Sequence, residues 1–230
     1  MPTVTSRAQL RANQIETIKD VARQLIAEKG VAGLSLREVA RQMGQVSSAL
    51  YRYFANRDEL LTALILDAYN DLGASVERAD ARHSNESSRS RWHAAARATR
   101  SWATRHPHQY GLIFGTPVPN YEAPELTIAA ATRATVVFCR IMNDDRRRRG
   151  LSGAGQSARH LSGFLEVANL RAVLPDLSPD DYVRALMAWT ELFGFMSFEL
   201  FGHYVGSVRN AKVTFEHVVD ELADVLGFAP

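Results

Sequence analysis

The chain has 230 residues, of which 46% are hydrophobic and 23% are charged, and its formal net charge is +2. This composition is typical of a folded globular protein, and no stretch is long and apolar enough to span a membrane. The single cysteine, Cys139, cannot form an internal disulfide, and the first residues lack the apolar stretch of a signal peptide. We therefore expect a cytoplasmic protein without membrane contact.

The surplus of positive charge lies at the N-terminal end of the chain. Residues 1–56 hold eight Lys or Arg and four Asp or Glu, whereas the remaining residues hold nineteen and twenty-one. A basic N-terminal quarter favours a polyanionic partner in that region. Four surplus charges could equally belong to a solvated surface, so the charge alone does not decide between these readings.

Helical spacing of apolar residues predicts the first elements, and no segment has the alternating pattern of a strand. A first helix should run from about residue 8 to Lys29 and end at Gly30. The capping box Ser35–Glu38 opens a second, short helix that ends at Gly44. A third short helix follows from about Val46 to Tyr53. The sequence therefore predicts three N-terminal helices within an all-α fold.

A second N-terminal cap at residues 56–59 opens a long fourth helix that should reach about Val76. Further helical segments are predicted over about residues 88–105, 110–114, 124–147, 156–172, 178–202 and 211–226. The four consecutive arginines at 146–149 end one of these helices. A solvated helix end explains them better than a contact with DNA, because cations near a helix C-terminus are favourable.

Two short helices joined by a tight turn at Gly44, after a packed first helix, have the layout of a helix-turn-helix. In such a motif the second short helix enters the major groove of DNA. We assign its buried face to Val46, Ala49, Leu50 and Phe54. The opposite face then presents Gln45, Ser47, Ser48, Arg52 and the hydroxyl groups of Tyr51 and Tyr53.

These exposed side chains have the chemistry of a DNA interface. Gln and Ser at the start of a recognition helix can bind base edges, while tyrosine hydroxyls and Arg57 can bind phosphates. The N-terminus of the fourth helix also favours an anion. Alternatively, Tyr51, Tyr53 and Phe54 could be core aromatics of a small helical bundle, and Arg52 could be an ordinary exposed arginine.

Residues 34–40 (Leu-Ser-Leu-Arg-Glu-Val-Ala) and 46–61 (Val-Ser-Ser-Ala-Leu-Tyr-Arg-Tyr-Phe-Ala-Asn-Arg-Asp-Glu-Leu-Leu) closely resemble the TetR/AcrR family of bacterial transcription regulators. The match covers about the first 65 residues. The resemblance implies a DNA-binding domain over residues 1–56 and a larger helical domain for effector binding and dimerisation over 57–230. It implies DNA contacts at Arg37, Gln45, Ser47, Ser48, Tyr51, Tyr53 and Arg57. Family members commonly carry lysine where this chain has Arg57.

The second region resembles one subclass of the family. Residues 106–117 follow the pattern His-Pro-x-x-Tyr-x-x-x-Phe-Gly-x-Pro, and the penultimate helix contains Trp189 and Gly194, which the subclass also shows. The family resemblance implies a pocket for a small molecule within this domain. Candidate pocket residues are Trp102, Phe114, Phe138, Met142 and Trp189. Plain core packing is the alternative for each of them.

The penultimate helix is apolar nearly all round, so it should be buried on two sides. One side can face its own core, and a second copy of the chain is the simplest partner for the other. The last helix adds Phe215, Val218, Val219, Leu222 and Val225. The resemblance implies a homodimer that is formed by these last two helices, while a central helix in a monomer remains the alternative.

No pattern in the sequence predicts a metal, a cofactor or catalysis. His106 and His108 do not have the spacing of zinc ligands, and residues 150–154 break the nucleophile elbow at its final glycine. We therefore expect a regulator rather than an enzyme: a protein that binds a palindromic operator, responds to a small molecule and acts as a repressor. The alternative is a helical binding or scaffold protein that retains the fold without specific operator binding.

Overall fold

The computed structural model describes residues 6–151 and 176–229, and every regular element within these ranges is helical, which confirms the all-α fold. The α-helices in these ranges are α1 (Arg7–Lys29), α2 (Leu36–Gln42), α3 (Ser47–Leu50), α4 (Arg57–Arg82), α5 (Ser88–Arg105), α6 (Pro107–Phe114), α7 (Ile128–Arg148), α8 (Pro179–Leu200) and α9 (Ala211–Val225). Single turns of 3-10 helix occur at Val31–Gly33 and Glu125–Thr127. The helix predicted over about residues 156–172 lies outside the described residues.

Most helix ends coincide with local capping signals. The Ser6 hydroxyl caps α1 by accepting the backbone N–H of Gln9, and Gly30 ends this helix with a φ of 68°. Several helices differ in length from the prediction, among them α4 and α3. Helix α4 continues to Arg82 because residues 77–82 contain no glycine or proline. Helix α3 ends at Leu50, and the next three residues form a turn.

The chain divides into two compact units by its internal contacts. The first takes in the described residues through Asn70 together with His106–Ala130, and the second takes in Asp71–Arg105 and the described residues from Ala131 onward. Both units therefore contain part of α4. The predicted functional division at residue 56 falls just before α4 begins, and the assignment of separate roles to residues 1–56 and 57–230 stays a prediction.

The core of the first unit joins α1 to the three helices that follow it. Its most buried side chains come from α1, α2, α3 and the first half of α4, and they include Ile18, Leu25, Val39, Leu50 and Leu61. Helix α6 and the loop after it pack against the same cluster. The Tyr121 hydroxyl lies 2.9 Å from the Thr62 hydroxyl, which attaches this loop to α4. The short helices α2 and α3 are thus held by a single apolar core.

In the second unit, ion pairs attach one side of α5 to α9 and α8. Arg89 pairs with Asp220 and Asp224, Arg97 pairs with Glu216, and Arg100 pairs with Glu199. These arginines recur at helical spacing, so they lie along one side of α5. The buried Trp92 indole donates a hydrogen bond to the Val219 carbonyl beside them. The contacts fix the positions of the last two helices against α5.

The prediction that residues 146–149 form a solvated helix end is wrong for Arg146. Only 5% of this residue is exposed, and its guanidinium contacts Asp145, Asp181 and the Leu226 carbonyl. A buried guanidinium needs partners for its donors, and two carboxylates provide them. Helix α7 is therefore tied to the start of α8 and the end of α9 by charge.

Candidate nucleic-acid interface

The position of α2 is fixed by Glu38. The Ser35 hydroxyl caps the helix by accepting the Glu38 backbone N–H at 3.2 Å, and the Glu38 carboxylate pairs with Arg41 and Lys29. Hydrogen bonds from Arg41 and Lys29 lower the pKa of the Glu38 carboxyl to about 2. Because Lys29 closes α1 and Glu38 opens α2, this cluster joins the end of one helix to the start of the next.

The turn between α2 and α3 depends on Gly44. Its φ is 65°, and the next residue, Gln45, donates its backbone N–H to the Ala40 carbonyl at 2.9 Å. A β-carbon at Gly44 would meet no atom within 4 Å, so glycine is favoured here by the backbone conformation alone. This turn sets the angle at which α3 leaves α2.

The predicted base-reading residues are accessible on α3 and at its start. Gln45 and Ser48 are exposed, Ser47 is half-buried, and Leu50 and Phe54 are buried beneath them. The structure thus presents a polar surface on the side of α3 that faces away from the core. Arg37 on α2 is exposed as well.

Val46 does not belong to the buried face to which the sequence pattern assigned it. Its side chain is 71% exposed, whereas Leu50, four residues later, is fully buried. Val46 is the N-cap of α3 and has an extended backbone, with φ −75° and ψ 140°. Since the residue precedes the helix, the rule that residues i and i+4 share a face does not apply to it. Val46 instead adds an exposed apolar group beside Gln45 and Ser47.

The two tyrosines after α3 differ in their surroundings. Tyr51 is 50% exposed, as a residue that contacts DNA should be. Tyr53 is half-buried against the core of the first unit, and the Arg11 guanidinium carbon lies 5.2 Å from the centroid of its ring. Tyr53 therefore packs against the core and remains partly exposed to solvent.

Arg57 has contacts that no local pattern predicts. Its Nε donates a hydrogen bond to the Leu34 carbonyl at 3.0 Å, and its Nη2 donates one to the Val31 carbonyl at 3.1 Å. The third nitrogen lies 3.3 Å from the Asp58 carboxylate. These bonds attach the first residue of α4 to the segment that precedes α2. A phosphate contact by Arg57 stays a prediction, and it would have to use the two remaining N–H groups.

The arginines of the first unit fall into two groups. Arg23, Arg41 and Arg57 each pair with a carboxylate. Among the described residues, no carboxylate forms an ion pair with the other four, which are Arg7, Arg11, Arg37 and Arg52. Guanidinium groups without a carboxylate partner keep a charge that can attract a polyanion.

Four of the five candidate pocket residues lie in the second unit, and their convergence on a pocket stays a prediction. In the second unit, the Phe138 ring lies 6.0 Å from Trp189 and 5.1 Å from Trp92. Trp102 and Met142 are buried there, and the Trp102 indole donates a hydrogen bond to Asp71. Phe114 belongs to the first unit.

A metal-binding cluster and a membrane-spanning helix are both absent from the part of the chain that the structure describes. No group of three or more His, Cys, Asp or Glu side chains there is placed to hold a metal ion. None of the helices described is long and apolar enough to cross a membrane.

Two helices joined by the Gly44 turn, with a polar second helix exposed, define the class of helix-turn-helix proteins. Residues 18–64 match the family model for bacterial regulatory proteins of the tetR family, and residues 92–222 match the model for the tetracyclin repressor-like C-terminal domain. The chain therefore belongs to the tetR family.

Individual relatives agree with this assignment over most of their length. The HTH-type transcriptional regulator Rv1816 of Mycobacterium tuberculosis is 36% identical over 206 residues, which cover 83% of this chain and 82% of that protein. The crystal structure of SCO4313 is similar, with a TM-score of 0.79 and 34% identity over 96% of this chain and 100% of that one. The TetR family regulator PfmR of Thermus thermophilus, at 17% identity and a TM-score of 0.58 over 89% and 96% of the two chains, shares the fold.

We expect Arg57→Lys to lower the free energy of unfolding by about 1–2 kcal/mol. One ammonium group cannot reproduce the two divergent hydrogen bonds to the Val31 and Leu34 carbonyls, although it keeps the charge. Chemical denaturation measures the difference. The matched control is Arg52→Lys, an exposed position where the change should stay within about 0.5 kcal/mol. Equal stability of Arg57→Lys and the wild type would show that these bonds do not stabilise the motif.

Proposed function

We propose that this protein is a homodimeric transcription regulator that represses its target by binding a palindromic operator and is released by a small molecule. The observation that carries the proposal is the combination of an exposed polar α3 with four unpaired arginines in the same unit. Salt bridges inside the protein neutralise Arg23 and Arg41, whereas the contacts of Arg57 leave two of its N–H groups for a phosphate. The unpaired ones remain available for phosphates, which supply much of the affinity of DNA-binding proteins.

In the proposed complex, α3 lies in the major groove. Gln45, Ser47 and Ser48 bind base edges, and the methyl groups of Val46 contact a thymine methyl. Phosphates are bound by Arg37, Tyr51, Tyr53 and Arg57, which fix the orientation of the motif without reading sequence. The protein acts in the cytoplasm, and none of these roles requires a catalytic residue.

We assign the dimer interface to α8 and α9. Six large apolar side chains on or directly after these helices are between 43% and 57% exposed, namely Leu186, Met187, Phe198, Phe201, Val213 and Val225. Positions 187, 194 and 198 on α8, with the C-cap residue 201, follow helical spacing and form one stripe. Gly194 lies in this stripe, and a β-carbon there would meet no atom within 4 Å, so a partner helix can approach closely. A second copy offers the same stripe, as twofold symmetry requires.

The effector pocket is proposed within the apolar interior of residues 57–230. Phe138 and Trp189 are its best-supported members because their rings are in contact, and Trp102, Phe114 and Met142 remain candidates. We also propose that the chain belongs to the subclass described under the sequence analysis, and the pattern of residues 106–117 with Trp189 and Gly194 supports this. Effector binding would displace α4, and Arg57 would transmit the displacement to the backbone before α2. Ligand and DNA would then be coupled reciprocally, by about 1–3 kcal/mol.

The DNA-binding proposal is tested by selecting bound duplexes from a random library and measuring affinity for the selected sequence and for random DNA. We expect a near-palindrome, because the protein dimer has twofold symmetry. Tyr51→Ala should weaken binding on the order of tenfold or more. Tyr51→Phe is the matched control for the hydroxyl alone and should weaken binding about three- to tenfold.

Equal, weak and salt-sensitive binding of the wild type to every duplex would contradict the proposal. That result would favour the alternative, a helical binding or scaffold protein without operator specificity. Thermal unfolding of each Tyr51 variant serves as the folding control, since the side chain is half exposed and outside the core.

The dimer proposal predicts that Phe198→Glu converts the protein from a dimer to a monomer. A carboxylate in the centre of an apolar twofold interface would face its own copy and lose its hydration. Sedimentation equilibrium measures the mass. Leu126→Glu is the matched control, because Leu126 is 60% exposed but lies in the first unit. A Phe198→Glu protein that stays fully dimeric would exclude this interface.

A further inference from the structure

A basic depression lies in the first unit beside the end of α3. It is lined by Arg7, Leu10, Arg11, Gln14, Arg52 and Tyr53. We infer that this depression binds a backbone phosphate of DNA outside the contacts of the recognition helix itself. The inference rests on the proposed function, since the phosphate belongs to the same duplex that α3 reads.

The Arg11 side chain is already held in position without a ligand. Its Nη1 donates a hydrogen bond to the Arg52 carbonyl at 3.1 Å, and its guanidinium carbon lies 5.2 Å from the centroid of the Tyr53 ring. A long side chain that is ordered in advance loses less conformational entropy when it binds. Arg11 therefore presents its remaining donors in a fixed direction.

No carboxylate of residues 6–151 or 176–229 forms an ion pair with the arginines of the depression. Three of its lining residues are arginines, none is acidic, and the first turn of α1 contains no acidic residue. Arg7 stands at the N-terminus of α1, where the helix dipole disfavours a cation. Three guanidinium groups around one depression also repel one another. A bound phosphodiester would remove both unfavourable effects.

The position of the depression favours DNA over a free anion. Arg52 and Tyr53 lie two and three residues after the end of α3 and follow the exposed Tyr51, so the depression is close to the end of the recognition helix. A duplex that has its major groove on α3 also has a phosphate backbone at the border of that groove. Inorganic phosphate has the same binding chemistry, and the experiment separates the two sources.

The test compares the wild type with Arg7→Ala/Arg11→Ala in fluorescence anisotropy titrations at a series of KCl concentrations. Two labelled duplexes of equal length are used: the selected operator and random DNA. Each subunit of the dimer would lose one bound phosphate, so the slope of log affinity against log salt should fall by about 2 on both duplexes. The preference for the operator should stay within about threefold of the wild type, because a backbone contact carries no sequence information.

Two further variants make the result specific. Arg11→Lys keeps the charge and should retain a slope near that of the wild type. Arg82→Ala removes an exposed arginine at the last residue of α4, in the second unit, and should leave the slope unchanged. Thermal unfolding confirms that each variant is folded.

An unchanged slope in folded Arg7→Ala/Arg11→Ala, with operator preference intact, would overturn the inference and leave the proposed function standing. A wild type without operator preference would instead contradict the proposed function. A third arm measures the shift in melting temperature that inorganic phosphate produces. If phosphate stabilises the wild type but not the double variant, while DNA slopes are equal, the depression binds free anions and the DNA assignment is wrong.

Discussion

The geometry of the DNA-binding motif depends on the bonds between the Arg57 guanidinium and the carbonyls of Val31 and Leu34. They join the start of α4 to the segment between α1 and α2. The Lys29–Glu38–Arg41 cluster joins the same segment to α2 from its other side. Because α3 follows α2 through the fixed Gly44 turn, its orientation depends on these contacts. A displacement of α4 would therefore move the recognition helix.

Ion pairing distinguishes the arginines that stabilise the fold from the arginines that we propose to bind DNA. Arg89, Arg97 and Arg100 attach α5 to α9 and α8, and each has a carboxylate partner. By contrast, no described carboxylate pairs with Arg11 or Arg52 in the first unit. A guanidinium with an internal partner contributes little to attracting DNA, since its charge is already neutralised. The arginines that we propose to bind DNA are thus distinguished by the lack of a described carboxylate partner more than by the net charge of their region.

Local signals in the sequence predicted the motif well because capping and turn chemistry act over a few residues. Ser35 with Glu38, and Gly44, fixed the limits of α2. Val46 was misassigned because helical periodicity was applied to an N-cap residue. The contacts of Arg57 connect it to residues 23 and 26 positions earlier, which no local pattern contains. Convergence of side chains on a pocket depends in the same way on packing between distant parts of the chain, so the pocket residues stay predictions.

One signal for the unpaired arginines is nevertheless present in the sequence. Arg23 and Arg41 each have an acidic residue three positions earlier, at Asp20 and Glu38, and both pairs form. No acidic residue stands three or four positions from any of the four unpaired arginines in residues 1–56. Helical neighbours at these spacings are the usual partners of a surface arginine. The spacing of acidic residues along the chain therefore distinguishes the candidate binding arginines from the paired ones.

The most direct test of the central claim, that unpaired arginines form the DNA-binding surface, is a titration of the arginine Nε–H NMR signals with operator duplex. The Nε–H signals of the unpaired arginines should shift when the duplex is added. Those of the paired arginines should shift no more than the Nε–H signals of arginines in the second unit. The unpaired group is Arg7, Arg11, Arg37 and Arg52, and the paired group for comparison is Arg23 and Arg41. Equal shifts in both groups, or shifts confined to the paired group, would contradict the claim.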